Sequence, residues 1–179
     1  GLPLDAQFRD RIKGDIAHAM RVYRRHYAET ACDSTTLLPG AREMLDAFAE
    51  AGLKMGFATS KKLDASELVL GHLGVLDYFN ARIGPDEVVH PKPAPDALHA
   101  AMRILDVAPE EFVFVGDMHF DVVAAQRAGV ACLAVTTGYQ TRAELEALGP
   151  DAVFDGLDEV QDWVLRRLDL VAQASPPLL

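Results

Sequence analysis

The chain has 179 residues, of which half are hydrophobic and a quarter are charged, so it can bury one substantial core and is not expected to be disordered throughout. A formal net charge of -10 at pH 7 argues against a general nucleic-acid or anionic-membrane surface. The two cysteines, Cys32 and Cys132, lie far apart and form no zinc-ligand spacing, and the apolar runs are too short to span a bilayer. We therefore expect a reduced, cytoplasmic setting, with Cys132 packed as a small hydrophobic residue.

Seven segments carry amphipathic patterns that predict helices, the first with apolar residues at three- and four-residue steps. The segments are residues 6–30, 41–51, 64–72, 97–105, 121–128, 142–148 and 157–168. A polar break at residues 33–36 follows the first segment, and Gly52 and Gly129 end two of the others. Trp163 is expected on the inner face of the last segment.

Five short apolar runs lie between these helices and are predicted to be strands. They are residues 54–58, 79–83, 112–115, 130–135 and 152–154. Alternating strands and helices indicate an α/β fold with a parallel sheet, in a three-layer, Rossmann-like core. The predicted organisation is a partial helical cap over residues 1–36, the core over residues 37–171 and a tail over residues 172–179.

The most informative stretch runs from Phe112 to Gly129. A short apolar run ends at Gly116, two carboxylates follow at Asp117 and Asp121, and a helical pattern then begins. In parallel sheets, ligands bind at the carboxyl ends of the strands, which is where Asp117 is predicted to lie. Two carboxylates at one strand end repel each other unless a cation offsets them, so the pattern indicates a metal ion or an anionic ligand bridged by one.

Other polar residues follow neighbouring strands and are predicted to converge on the same place. Thr59 and Ser60 close the run at residues 54–58, and Lys92 lies in a loop over residues 90–96 that three prolines stiffen. Phosphoryl transfer uses a hydroxyl and backbone N–H groups to hold phosphate oxygens, an ammonium to offset their charge, and Mg²⁺ held by a carboxylate. The set of residues therefore indicates phosphoryl-transfer chemistry.

Each of these residues also has an ordinary structural interpretation. Thr59 and Ser60 could be helix N-caps, Lys92 a solvated surface lysine, and Asp121 a helix cap. Asp117, which follows a glycine at a strand end, is the hardest to explain in this way. The order and spacing of the whole set are more specific than any member.

Two histidines flank the predicted site, and several cations lie near the N-terminus. His90 and His119 have no metal-ligand spacing and are interpreted as loop residues, with His119 kept as a candidate substrate contact. The basic residues of the cap segment could reach a carboxylate or a second phosphate, although solvated surface residues are the commoner explanation. They are Arg9, Arg11, Lys13, Arg21 and Arg24.

Three segments resemble the second, third and fourth motifs of the haloacid dehalogenase superfamily. They are Gly56-Phe-Ala-Thr-Ser-Lys61, His90-Pro-Lys-Pro-Ala-Pro-Asp96 and Val115-Gly-Asp-Met-His-Phe-Asp121. The resemblance is closest to the phosphoglycolate-phosphatase-like branch, which has a helical cap inserted early. It covers residues 37–168, and residues 1–36 resemble the latter half of that cap.

The resemblance implies a Mg²⁺-dependent phosphatase of small phosphorylated metabolites that works through an aspartyl-phosphate, which water then cleaves. It implies that Thr59 hydrogen-bonds the phosphoryl group, with Ser60 beside it, and that Lys92 stabilises the phosphoryl group and the nucleophile. Asp117 would ligate Mg²⁺, and Asp121 would complete the outer shell of the metal or hold Lys92.

The first motif of the superfamily, an Asp-x-Asp-x-Thr run that supplies the nucleophile and the general acid/base, does not occur in this sequence. Asp5 and Asp10 lie in a polar helical segment with no apolar strand before them. We therefore expect an N-terminally incomplete form of a longer enzyme, inactive alone, whose sheet lacks its central strand. An intact sheet made only of these residues would contradict that expectation.

Alternative functions remain open from the sequence. A non-catalytic phosphate-binding or regulatory module of the same fold is the main one. A receiver-like phospho-acceptor domain has a different order of Asp, hydroxyl and Lys, and a haloacid dehalogenase proper would not need Mg²⁺. The expected partner is a small phosphorylated metabolite, with neither nucleic acid nor membrane, in a monomer or homodimer.

Overall fold

A computed structural model of the chain describes residues 8, 9 and 11–174. Seven α-helices are assigned in the described part: α1 Ile16–Ser34, α2 Ala41–Glu50, α3 Leu63–His72, α4 Asp96–Leu105, α5 His119–Ala128, α6 Arg142–Glu146 and α7 Leu157–Ala174. The strands are β1 Met55–Ala58, β2 Phe79–Ile83, β3 Val113–Gly116, β4 Ala131–Val135 and β5 Ala152–Phe154. All five predicted strands are present, and the α/β class with parallel strands is confirmed.

The strands form two parallel sheets. In one, β1 pairs with β2, and Gly56 lies opposite Ala81. In the other, β4 lies between β3 and β5, with Leu133 opposite Val115. Because a parallel strand needs a crossover to reach its neighbour, a helix or helical turn separates each strand from the next.

The core of the larger sheet follows from the alternation of side chains along β4. Cys132 and Ala134 point into a cluster with Val122 and Ala125 of α5, while Leu133 and Val135 point into a second cluster with Val160 of α7. Helices thus cover both faces of this sheet, which gives the predicted three layers. Cys132 is buried in the core, as the sequence predicts.

A long cleft separates the two sheets. Within the described part of the chain, β1 pairs only with β2 and β3 pairs only with β4, so each keeps one free edge. Both strands line the same cleft of about 2360 Å³, and neither contains a buried residue, whereas four of the five residues of β4 are buried. The described strands therefore form two separate sheets and not one continuous sheet. The absence of a central strand stays a prediction.

The N-terminal helix differs from its prediction over residues 6–30. Gly14 has a φ of +151° and interrupts the helical run, after which Asp15 caps α1 by accepting a hydrogen bond from the backbone N–H of His18 at 2.9 Å. The helix continues into the first half of the predicted polar break and ends at Ser34, with Thr35 already extended. The hydroxyls of Thr30 and Ser34 donate to carbonyls one turn earlier, so these polar residues are accommodated within the helix.

The C-terminal helix is longer than predicted, since α7 continues to Ala174 and takes in the first three residues of the expected tail. The rest of that tail, and Asp5 and Asp10 of the expected cap, lie outside the described residues. The domain boundary at residue 36 stays a prediction; α1 packs against α3 of the core. No helix in the described part is both long and apolar enough to cross a bilayer.

The burial pattern of the larger sheet leads to a stability prediction. Leu133 is fully buried between β4 and α7, so Leu133→Ala is expected to lower the free energy of unfolding by about 2–5 kcal/mol. Leu38 is 46% exposed, and Leu38→Ala is expected to change the free energy of unfolding by only about 0.5 kcal/mol. Urea unfolding of both variants measures the difference, and equal losses would contradict this assignment of the core.

Candidate active site

The side chain of Lys92 lies at the centre of the candidate site. It is 10% exposed, and its Nζ donates to the backbone carbonyl of Ala58 at 2.9 Å and to Asp121 Oδ1 at 2.7 Å. The Phe114 ring centre lies 5.4 Å from the same nitrogen. The interpretation of Lys92 as a solvated surface lysine is therefore wrong. Its ammonium instead connects the carboxyl end of β1 to the start of α5.

Asp121 uses both of its carboxylate oxygens inside the protein. Oδ1 accepts from Lys92, and Oδ2 accepts from the backbone N–H of Met118 at 3.1 Å, which caps the first turn of α5. Gly116 makes room for this carboxylate, since a Cβ there would collide with the Asp121 side chain. Asp121 thus both holds Lys92 and caps its helix, and its contact with a metal stays a prediction.

Thr59 and Ser60 lie where β1 ends, on the wall of the cleft. The Thr59 hydroxyl oxygen accepts from the backbone N–H of Lys61 at 3.1 Å, which leaves its own proton free to be donated. Neither residue is a helix N-cap, because Lys62 occupies that position before α3. Both hydroxyls are therefore placed at a strand end, and their contact with a phosphoryl group stays a prediction.

Asp117 lies directly after β3 and lines the same cleft. Its carboxylate comes so close to the loop after β4 that a Cβ on Gly138 would collide with it. Within the described residues it makes no hydrogen bond or ion pair, unlike Asp121. Asp117 is thus the carboxylate of the pair that is available to a cation.

Three residues that position the site were not predicted from the sequence. Gly138 leaves space for Asp117, and the side-chain oxygen of Gln140 accepts a hydrogen bond from the backbone N–H of His119 at the start of α5. Arg127 donates to the carbonyl of Pro93 at 3.0 Å and so holds the loop that carries Lys92. A contribution of the loop after β4 to the site could have been predicted, because the carboxyl ends of parallel strands share one edge of a sheet. The Arg127 contact has no such signal.

Neither histidine lies on the wall of the cleft among the described residues. The His90 ring lies 3.1 Å from Asp96 and its backbone N–H also donates there; although partial desolvation opposes them, these hydrogen bonds lower the pKa of Asp96. The His119 ring packs against Phe120. A role for His119 as a substrate contact stays a prediction.

Cys132 is the buried cysteine, and burial raises the pKa of its thiol to about 12, with the charges of Asp121 and Asp151 adding to the shift. It remains protonated at neutral pH, and since the thiolate is the reactive form, it is not a nucleophile here.

The carboxylates of the described residues are candidate ligands for a magnesium ion, which takes oxygen ligands in proteins. They contain no cluster of three or more histidine, cysteine, aspartate or glutamate side chains that could hold a metal ion. Mg²⁺ commonly takes one or two carboxylates and completes its octahedron with water and substrate phosphate oxygens. Asp117, unpaired within the described residues and on the cleft wall, suits that kind of binding.

Curated relatives of this chain are phosphoglycolate phosphatases. The one from Yersinia pseudotuberculosis serotype I (strain IP32953) is 34% identical over 77% of this chain and 60% of its own length. The one from Escherichia coli (strain K12) is 31% identical over 78% of this chain and 56% of its own length. The chain therefore spans about three fifths of the length of these relatives.

Solved structures share the fold. A predicted phosphoglycolate phosphatase from Haemophilus somnus 129PT superposes with a TM-score of 0.80 at 25% identity, over 86% of this chain and 68% of that one. CbbY from Rhodobacter sphaeroides, in complex with phosphate, gives 0.76 at 28% identity, over 87% of this chain and 74% of that one. A predicted phosphatase from Clostridium acetobutylicum, at 24% identity, shows the fold alone, with a TM-score of 0.80 over 93% of this chain and 78% of that one.

A family model described as haloacid dehalogenase-like hydrolase matches residues 1–135, about three quarters of the chain. The matched region contains β1, Lys92 and both carboxylates that follow β3. The chain therefore belongs to the haloacid dehalogenase-like hydrolase family.

Proposed function

We propose that this chain acts in a Mg²⁺-dependent phosphatase of small phosphorylated metabolites, similar to phosphoglycolate phosphatase. The observation that carries the proposal is the buried Lys92, whose ammonium lies between the end of β1 and Asp121 at the edge where Thr59 and Asp117 also lie. A preorganised cation beside a hydroxyl and a free carboxylate suits a transferring phosphoryl group, whose oxygens carry negative charge.

We infer that the nucleophilic carboxylate arrives on a strand that docks between β1 and β3. Both strands run towards Lys92 and both have a free edge on the cleft, so an added parallel strand would pair on each side. Its carboxyl end would lie beside Thr59, Lys92 and Asp117. The cleft volume of about 2360 Å³ exceeds the 300–1000 Å³ typical of small-ligand pockets, which leaves room for a strand as well as a substrate.

The proposed reaction has two steps. The first carboxylate of the docked strand attacks phosphorus, and the P–O bond to the substrate alcohol breaks as that alcohol takes a proton from the second carboxyl group of the same strand. The second carboxylate then takes a proton from the water that cleaves the aspartyl-phosphate and releases phosphate. Lys92 and the Thr59 hydroxyl hold the phosphoryl oxygens, and Asp117 binds Mg²⁺. When bound, Mg²⁺ offsets the charge of the phosphoryl group and the nucleophile.

The names of the relatives favour this phosphatase over a non-catalytic phosphate-binding module. We keep the cytoplasm as the proposed location, and a small phosphorylated metabolite as the proposed partner, without nucleic acid or membrane. The monomer or homodimer expected from the sequence also stays a proposal.

The role of the docked strand can be tested by adding one. We expect the 179-residue chain alone to show no Mg²⁺-dependent hydrolysis of p-nitrophenyl phosphate. An N-terminal extension with an apolar strand ending in Asp-x-Asp, joined by a flexible Gly/Ser linker, is expected to restore turnover.

The matched control ends in Asn-x-Asn and should remain inactive. Both extensions should raise the melting temperature, because pairing satisfies backbone groups on two strand edges. Turnover by the chain alone, or no change in melting temperature with either extension, would contradict the proposed strand.

The Lys92–Asp121 pair leads to a second prediction. Lys92→Met leaves a buried carboxylate without its cation and is expected to lower the free energy of unfolding by about 3–5 kcal/mol. Lys62→Met, which breaks an exposed pair with Asp86, should cost less than about 1 kcal/mol.

In the double variant Lys92→Met/Asp121→Asn, the amide oxygen of the new asparagine can still accept from the backbone N–H of Met118, and the unpaired buried charge is gone. The free energy of unfolding should therefore recover. Binding of inorganic phosphate, measured by calorimetry, should not recover, because the ammonium is absent. Recovered phosphate binding in this double variant would show that Lys92 has only a structural role.

Gly138 provides a third prediction. Gly138→Ala would push its methyl group into the Asp117 carboxylate, and displacing a metal ligand in this way is expected to weaken Mg²⁺ binding by about 10–100-fold. Gly71→Ala is the control, since its methyl group would meet only Leu76, at 3.8 Å. Calorimetric titration with Mg²⁺ measures both, and unchanged affinity in Gly138→Ala would exclude Asp117 as a ligand.

A further inference from the structure

The loop after β4 is fixed at both of its ends. At its start, the backbone N–H of Thr136 donates to the carbonyl of Phe154 at 3.0 Å, and the Thr136 hydroxyl donates to Asp155 at 2.8 Å. At its end, the Arg142 guanidinium of α6 lies 2.9 Å from the same Asp155 carboxylate. One carboxylate thus holds both ends of the loop, which limits where the residues between them can lie.

Gln140, near the end of this loop, reaches across to α5. It is half-buried, and its side-chain oxygen accepts a hydrogen bond from the backbone N–H of His119, the first residue of that helix. The first N–H groups of an α-helix have no partner within the helix, so they need acceptors from elsewhere. Gln140 supplies one of these acceptors from a loop that is distant in sequence.

Asp117 is the residue that would ordinarily supply such an acceptor. It lies two residues before His119, and aspartate side chains commonly accept from the backbone N–H two residues further on. That bond would engage one oxygen of the carboxylate. The His119 N–H donates to Gln140 instead, and within the described residues the Asp117 carboxylate makes neither a hydrogen bond nor an ion pair.

Two further N–H groups at the start of α5 also have partners other than Asp117. The backbone N–H of Met118 donates to the Asp121 carboxylate at 3.1 Å, and the backbone N–H of Asp121 donates to the carbonyl of Met118 at 2.8 Å. The start of the helix is thus held by Gln140 and Asp121 rather than by Asp117.

We propose that Gln140 is a positioning residue for the cation site: it occupies the His119 N–H and so keeps both oxygens of Asp117 free to bind a divalent cation. This inference rests on the proposed function, in which Asp117 binds Mg²⁺. Gly138 has a complementary role in the same loop, because it leaves the space in which that carboxylate lies.

Calorimetric titration with Mg²⁺ tests the role of Gln140. Gln140→Leu is expected to weaken Mg²⁺ binding by about 10–100-fold, because the His119 N–H then takes Asp117 as its acceptor. Gln140→Glu keeps an oxygen at the same reach from the backbone and should bind Mg²⁺ at least as tightly as the unchanged chain. Weaker binding by Gln140→Glu, or unchanged binding by Gln140→Leu, would overturn the proposal.

Gln126→Leu is the matched control, because Gln126 belongs to the same helix and also bonds to a backbone group through its side chain. Its Nε2 donates to the carbonyl of Leu148 at 2.6 Å, near the opposite end of α5. We expect this variant to have a lower melting temperature and an unchanged Mg²⁺ affinity. An equal loss of Mg²⁺ affinity in Gln126→Leu would assign the effect to a general loosening of α5 and overturn the proposal.

Hydrogen exchange of the His119 amide, measured by NMR without metal, follows the change of acceptor directly. In Gln140→Leu the amide should stay protected, since Asp117 accepts from it. In the double variant Gln140→Leu/Asp117→Ala both acceptors are gone, and exchange should be about tenfold faster. Equal exchange rates in these two variants would show that Asp117 does not replace Gln140, which contradicts the proposal.

The outcomes separate this proposal from the proposed function. If Asp117→Ala abolishes Mg²⁺ binding but Gln140→Leu leaves it unchanged, the positioning role is overturned and the Mg²⁺-dependent phosphatase proposal stands. If the unchanged chain does not bind Mg²⁺ at all, both are overturned.

Discussion

A lysine ammonium inside a protein is stable only when its charge and its hydrogen-bond donors are matched nearby. Lys92 meets this condition through the Ala58 carbonyl and the Asp121 carboxylate, which belong to the end of β1 and the start of α5. The pair therefore fixes two strand ends and a loop in one place. The Thr59 hydroxyl and the Asp117 carboxylate are carried to the same edge because they directly follow those strands.

The cleft is consistent with a fold whose pairing is completed by another segment. A strand within a parallel sheet is normally buried on both faces, yet β1 and β3 have no buried residue and each has a free edge in the described part. Their apolar side chains and backbone groups face the cleft next to the candidate site. We therefore propose that the strand that completes the sheet also supplies the nucleophilic carboxylate.

Cationic side chains lie near the candidate site although the net charge of the chain is negative. The chain is acidic as a whole, but the described cleft wall carries Lys92, Lys61 and Arg24 close to its proposed phosphoryl position. Asp121 offsets Lys92, while Lys61 donates to the neutral Tyr27 hydroxyl and Arg24 makes no hydrogen bond or ion pair within the described part of the chain.

Local patterns in the sequence were enough to predict all five strands, most of the helices and the strand ends that carry Thr59 and Asp117, because periodicity and glycine punctuation act over a few neighbouring residues. The prediction of one unbroken helix over residues 6–30 was wrong, since the chain is interrupted at Gly14 and α1 begins only at Ile16. The family resemblance also offered Asp121 as a residue that could hold Lys92, and the structure confirms that contact. Only the tertiary structure showed the space that Gly138 leaves for Asp117 and the Arg127–Pro93 contact. These depend on distances between loops that lie tens of residues apart, which packing determines and local sequence does not.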